Sequence, residues 1–554
     1  MKRLTYCILL LLTLSACRQG ETDGKMIFRY NESAGINTLD PAFAKDQAHI
    51  WVCSQLYNSL VQLDTNLEVQ PALAKRWTIS PDGRTYTFIL RDDVWFHKNA
   101  LLGPDSTRRV TAEDMRYSLH RIIDPSVASP GRWIFSEVAD DGFRVVDDTT
   151  FQVILKEPFA PFLSLLSMPY CSAVPREVVE HYGDDFRKHA CGTGPFQLQW
   201  WEESEKLVMR KNPLYYEFDT VWTAVDSQLG QQTHPDLIQN SKFTLHRLPY
   251  LDAVAVTFII DKQTAFLEFI KGNMDFMNSI DAGYKDEILT RTGQLKAKYA
   301  DRIDMVSTPY LNTEYLGFRM DGNSQVLRDR RIRQAINMGF DRRKMMKYLR
   351  NGVGTPGTHG IVPVGLPGGG NKGYEYDVPR ALQLLEEAGY PHGKGLPTLV
   401  LATTSSYLDL CKYIQQQLGL MGVKVEIDVH PPAALREAIA QGKTDWFRGS
   451  WVADYPDAQN YLSLFYSGNF APNGPNYTHF SNARYDALYR RALKESDVET
   501  RQRLYQQMDS IAAVEAPVIV LYYDQILHFT HKNINGLRSN AMNALDLRRV
   551  RKTL

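Results

Sequence analysis

An α/β architecture of two or three domains is what this sequence predicts, and three observations predict it. At 554 residues the chain is too long to wrap around one hydrophobic core. Two continuous apolar, β-rich runs, Leu251–Ile260 (LDAVAVTFII) and Pro517–Tyr523 (PVIVLYY), have the pattern of strands buried on both faces. Between them, strand and helix patterns alternate. Ala381, Leu384, Leu385 and Ala388 form one helix face ended by Gly389 and Pro391. A strand over 396–403, a helix over 407–419 and a strand over 423–429 follow.

The composition is that of a soluble globular protein, with 44% hydrophobic and 23% charged residues. The 29 Tyr and 9 Trp serve a core, and also suit a cleft that holds varied ligands by stacking and hydrogen bonding. Lys+Arg and Asp+Glu both number 63, which argues against a nucleic-acid partner. No HExxH, no GxSxG and no Cys/His nucleophile spacing is present, so no enzyme activity and no cofactor are expected.

The N-terminus sets the compartment. Met1-Lys2-Arg3 is a short positive region, and 7–14 is an apolar run broken by Thr13. It is too short for a permanent membrane span and has the form of a signal peptide. Leu14-Ser15-Ala16-Cys17 resembles a bacterial lipobox, which implies cleavage before Cys17 and a lipid on its sulfur. Cleavage removes Lys2 and Arg3 and leaves 63 − 2 = 61 basic against 63 acidic residues. Residues 18–25 then form a polar tether. Of the other cysteines, Cys171 and Cys191 are the nearest in sequence and the expected pair if Cys53, Cys171, Cys191 and Cys411 are oxidised.

In chain order, 26–30 has the pattern of an edge strand, 37–41 of a turn, and 47–60 of a helix with Ile50, Cys53, Leu56 and Tyr57 on one face. Pro71-Ala72-Leu73-Ala74 suggests a helical turn, Pro81-Asp82-Gly83 a tight turn and Thr85–Phe96 a strand. Thr111 is the N-cap of a helix, with Asp114 at its third position. Gly192-Thr193-Gly194-Pro195 is a turn, and Thr220–Asn240 a polar surface insertion. Arg330–Tyr348 is a basic amphipathic helix or helix pair whose charges form a solvated face. The Gly- and Pro-dense stretch Asn351–Gly373 is a long irregular loop.

The run from Pro71 through Phe96 to Thr111-Ala112-Glu113-Asp114 resembles the signature region of the extracellular solute-binding proteins of family 5. These are the peptide- and nickel-type binding proteins that serve ABC importers. Further matches come in the family's order: Cys191-Gly192-Thr193-Gly194-Pro195-Phe196, Asn212-Pro213-Leu214-Tyr215, Gly272-Asn273-Met274-Asp275, Tyr315-Leu316-Gly317-Phe318, Arg330–Ile336, and Leu384–Tyr390. The stretch Trp451-Val452-Ala453-Asp454-Tyr455-Pro456-Asp457 resembles the family's W-x-A-D-Y-x-D/E-P segment, with Ala458 in place of its proline. The resemblance implies a two-lobed periplasmic-binding-protein type II fold with an extra subdomain in the first lobe. The division expected on it is 1–16 signal peptide, 17–25 lipidated tether, 26–58 with 189–260 and 517–554 as the first lobe's core, 59–188 as its extra subdomain, and 261–516 as the second lobe. The crossings are expected at Ile259-Ile260-Asp261 and Ala516-Pro517-Val518.

It also implies a function: a lipid-anchored, monomeric, exported binding protein that closes on a peptide and presents it to an ABC permease. Asp454 is the expected partner of the ligand's α-ammonium, with turn capping as the competing role. Arg448 either meets a ligand carboxylate or lies on the surface. Trp451 either covers a side-chain pocket or packs as core. Ser450 and Val452 complete this wall. Ala44 and Asp46 lie where the family lays ligand-contacting backbone, and Asp457 is expected to cap or turn. Alternatives within the fold are a nickel chelate, haem, opine or oligosaccharide ligand, or a peptide-sensing receptor.

Overall fold

The computed structural model describes residues 24–223, 242–279 and 282–553. The signal peptide, Cys17 and residues 224–240 of the expected insertion lie outside these described residues. Among them, one eleven-stranded mixed sheet runs through the molecule. Its first half centres on β1 (Ile27–Asn31), which pairs in parallel with β8 (Ala253–Thr257) on one side and β9 (Phe276–Asn278) on the other. The N-terminal strand is therefore interior, not an edge. Both its neighbours come from more than 200 residues away, and such pairing leaves no local pattern to read. Beyond β8 the sheet ends in the antiparallel strands β7 (Lys206–Lys211) and β6 (Phe196–Glu202).

Two long strands, β10 (Ile303–Phe318) and β14 (Val518–His531), carry the sheet onward. They pair antiparallel, with a register shift between Pro309 and Thr313. The far half of β10 pairs with β13 (Trp446–Val452), and the sheet closes with β11 (Leu399–Thr403) and β12 (Val425–Val429). The molecule is two-lobed. Phe28, Tyr30, Trp51, Phe96 and Phe276 belong to the first lobe's core. In the second lobe, Leu316, Ile336, Trp446 and Tyr522 pack on one face of the sheet, and Tyr315, Phe447, Tyr461 and Tyr485 on the other.

In the first lobe, α1 (Gln47–Leu56) begins at Asp46, whose carboxylate accepts from the backbone N–H of His49. A separate four-stranded antiparallel sheet orders β2 (Ala74–Ile79), β3 (Thr85–Leu90), β5 (Thr150–Leu155) and β4 (Val138–Asp147). The helical turn expected at 71–74 is instead strand: Val69–Pro71 pairs with Val61–Leu63, and Ala74 opens β2 opposite Leu90. Four apolar residues are too few to separate the two states, and cross-strand pairing decides. Thr111 and Asp114 form the expected capping box of α2 (Ala112–Ile123). Gly194 is required by close approach: a Cβ there would lie 2.4 Å from the Gln55 carbonyl oxygen at the end of α1.

The four described cysteines are all buried and free, so the expected Cys171–Cys191 pair does not form. Each thiol points at a carbonyl oxygen instead, Cys171 at Leu165 and Cys191 at His97.

In the second lobe the basic segment is a helix pair, α3 (Arg330–Met338) and α4 (Arg342–Leu349). Its charges are not all solvated. Arg333 is buried and donates to the carbonyls of Leu327, Arg328, Glu515 and Ala516; Arg342 is buried and donates to those of Asn337 and Val520. A guanidinium carries five donors in a fixed fork, so it can be buried where helix and strand ends leave carbonyls free. Helix α5 (Val378–Glu387) and α6 (Leu408–Gly419) stand near the expected places, and α8 (Ala483–Lys494) and α9 (Val498–Glu515) follow later in the chain. The loop over 351–373 is held by Asp509 of α9. Its carboxylate accepts from the Ile361 N–H and the Asn371 amide, both at 3.0 Å, and burial pushes it up to about 6.

Candidate functional site

Strand β13 ends in the residues of greatest interest, and its two-residue alternation sorts them. The segment is not the loop its Gly, Ser and Asp content suggests. It is a strand as far as Val452, paired with β10 from Asn312↔Val452 through Glu314↔Ser450 to Phe318↔Trp446. Trp446 and Arg448 share the face packed under Leu316 and Phe318, and Ser450 and Val452 continue that face into the open, both exposed. Asp454 extends it one step past the strand. Phe447, Gly449, Trp451 and Ala453 point the other way.

Asp454 is open to solvent at its surface but crowded by protein. Loss of hydration holds its carboxyl above the usual carboxylate range, opposed by the Asn460 amide at 3.4 Å. No Lys, Arg or His pairs with it among the described residues. Asn460, buried at the start of α7 (Ala458–Leu462), organises the turn: its oxygen accepts from the Trp451 indole at 2.7 Å and from the Asp454 backbone N–H at 3.3 Å. Trp451 is thus fixed by a hydrogen bond and packs against the core behind the sheet. Asp457 is the N-cap of α7 and accepts from the Gln459 N–H at 2.8 Å.

The first lobe faces this wall closely. The rings of Trp133 and Tyr455 lie 6.2 Å apart, and Lys494 pairs with Glu157 at 2.9 Å. The Tyr170 hydroxyl is pushed up by burial first, and then by the charges of Asp454 and Asp46. Asp46 is half-exposed and its carboxylate meets the His49 ring at 2.6 Å. Ala44 is fully buried and can offer a ligand only backbone.

Arg448 is neither a surface arginine nor a free cation. Its guanidinium pairs with Glu314 and lies 3.3 Å from the centre of the Tyr407 ring. The Glu314 side chain is 3% exposed, and burial holds its carboxyl above the usual range against the pull of Arg448. Asn312 donates to Glu314 at 3.1 Å and to Asp524 at 3.4 Å, and Asp524 in turn pairs with Arg350 at 2.8 Å. Arg350 also lies 4.3 Å from the centre of the Tyr522 ring. Arg448 Nε, Asn312 Oδ1 and the Tyr522 hydroxyl are buried and have no hydrogen-bond partner among the described residues.

Sequence reasoning missed Glu314, Asn312, Asn460, Tyr407, Arg350, Asp524 and Tyr170. One of them left a signal: Glu314 is a lone carboxylate inside the otherwise uncharged strand segment Leu311–Phe318. Such a group demands a buried partner.

The family model "Bacterial extracellular solute-binding proteins, family 5 Middle" matches residues 68–473. The glutathione-binding protein GsiB of Salmonella typhimurium is 27% identical over 511 residues, covering 91% of this chain and 90% of that protein. HbpA2 from Haemophilus parasuis superposes with a TM-score of 0.79 at 22% identity, over 95% of this chain and 100% of that one. DppA from Helicobacter pylori, solved in complex with the peptide STSA, superposes with a TM-score of 0.70 at 23% identity, over 94% and 98%.

Proposed function

Because the chain belongs to the bacterial extracellular solute-binding proteins of family 5, we propose that it captures peptides between its two lobes for an ABC importer, with Asp454 pairing the ligand's α-ammonium. The observation that carries this is an accessible carboxylate without a cation of its own. A carboxylate crowded out of water without a partner is costly, and an arriving ammonium supplies the missing charge and up to three donors. Backbone hydrogen bonds from both lobes would hold an extended peptide without reading its sequence. Ser450 and Val452, both exposed, would line the path, and backbone around Ala44–Asp46 would face it from the first lobe. Trp451 serves from behind, by fixing Asn460.

A ligand that touches both lobes selects the closed arrangement through its higher affinity for it. Strands β10 and β14 pair on both sides of their irregularity at Pro309–Thr313, and we place the hinge there rather than at 259–261 and 516–518. The protein is exported and tethered by lipid at Cys17, acts as a monomer and performs no chemistry on its cargo. Glutathione is the second reading, favoured by the relationship to GsiB. It is itself a tripeptide with a free ammonium. Native mass spectrometry of the protein as purified distinguishes the two by the mass of what co-purifies. Neither peptide nor glutathione in the bound fraction, with binding of a nickel chelate, haem, opine or oligosaccharide instead, would overturn both.

A further inference from the structure

Two cations behind the ligand wall, Arg448 and Arg350, both come with carboxylates of their own. Arg448 is paired by Glu314 and Arg350 by Asp524, and Asn312 ties the two acids together. The network holds two positive and two negative groups. Tyr407 closes it by donating to Glu314 at 3.3 Å while its ring covers the Arg448 guanidinium. Glu314 has nowhere to go: its side chain is 3% exposed, and that of Arg448 is 11% exposed. A ligand carboxylate arriving at Arg448 would have to displace a buried anion that cannot swing out into water, or sit beside it as a like charge. Both are costly. The atoms of the network left without a hydrogen-bond partner among the described residues, Arg448 Nε, Asn312 Oδ1 and the Tyr522 hydroxyl, are themselves buried and offer a ligand nothing.

From this asymmetry we propose that Glu314 is a specificity-determining residue. It neutralises Arg448, so the cleft recognises a ligand by its ammonium end and is indifferent to a free carboxylate at the other. The ligand class is amine-bearing peptides whose carboxyl end is free, amidated or continued by further residues. This rests on the reading that Asp454 holds a peptide's ammonium.

The test is calorimetric titration with tri-, tetra- and penta-alanine, each as free acid, as C-terminal amide and as N-acetylated acid. The wild type is expected to bind acid and amide of one length within about threefold of each other. Glu314→Gln, which frees Arg448, is expected to prefer the acid by about tenfold or more at the length that reaches it. The double variant Glu314→Gln/Arg448→Gln is expected to lose that preference. A wild type that prefers the acid by about tenfold or more overturns the proposal, as does a folded Glu314→Gln whose acid-to-amide ratio is unchanged at every length. If Glu314→Gln does not fold, the wild-type comparison decides alone. If acetylation has no effect, or no peptide binds, the Asp454 reading falls and this one with it. If acetylation abolishes binding while the acid is strongly preferred, only the Glu314 proposal falls.

Discussion

Two carboxylates of the second lobe, Asp454 and Glu314, sit in opposite electrical settings. Glu314 is sealed in and paired with Arg448 inside a four-charge network. Asp454, beyond the end of the adjacent strand, is open and has only the Asn460 amide. The protein completes one charge itself and leaves the other without a cation among the described residues. The inner half of β13 is held by the Arg448–Glu314 pair, and its outer residues Ser450 and Val452 are exposed.

The sharpest way to break this contrast is to remove the open carboxylate. Asp454→Ala should cost about 3–4 kcal/mol of peptide affinity, a hundredfold or more, with little change in folding stability. Calorimetry alongside thermal melts checks both halves. An equal loss of stability would make Asp454 a structural residue. Glu314→Gln should do the reverse in the melt, lowering stability by about 3 kcal/mol because it strands a buried guanidinium. Replacing both members, as Glu314→Leu with Arg448→Met, should restore much of that loss, and denaturant titration of the two variants reads the difference.

A third carboxylate sharpens the comparison, since Asp509 is buried without a cation among the described residues but accepts from the Ile361 N–H and the Asn371 amide. Its folded-state pKa is raised from 3.8 to about 6, so the native state holds the proton more tightly than the unfolded chain. Its contribution to stability is therefore full below about 3.8 and lost as pH rises through about 6. Asp509→Asn should flatten the stability profile across that window by on the order of 3 kcal/mol, measured by denaturation at a series of pH values. An unchanged slope would place the charge penalty elsewhere. The smallest effect belongs to Trp451. Trp451→Phe keeps the ring but loses the indole bond to Asn460, and should cost about 1 kcal/mol of stability while leaving the preference for free over acetylated peptide intact.

Much of this arrangement was legible in the sequence, and what was not has a common cause. The strands over 253–257 and 518–523, the helices over 378–387 and 408–419 and the capping box at Thr111 are local patterns, and they stand where the patterns put them. The interior place of β1, the strand at 74–79 and the strand character of 446–452 depend on partners far away in sequence. Asp454 can be proposed from the sequence because its motif is local. Glu314 and Arg448 are 134 positions apart, so neither the pair nor its consequence for ligand choice is visible until β10 and β13 are laid side by side. Arg333 and Arg342 mislead for a related reason: amphipathic spacing cannot register a cation buried against carbonyl oxygens.

The claim at the centre is that Asp454 awaits an ammonium. It is tested most directly by titrating the wild-type protein with one peptide in two forms, free and N-acetylated at its amino end. The free peptide should bind tighter by a hundredfold or more, and Asp454→Ala should erase the difference. Equal affinity of the wild type for the two forms would contradict it.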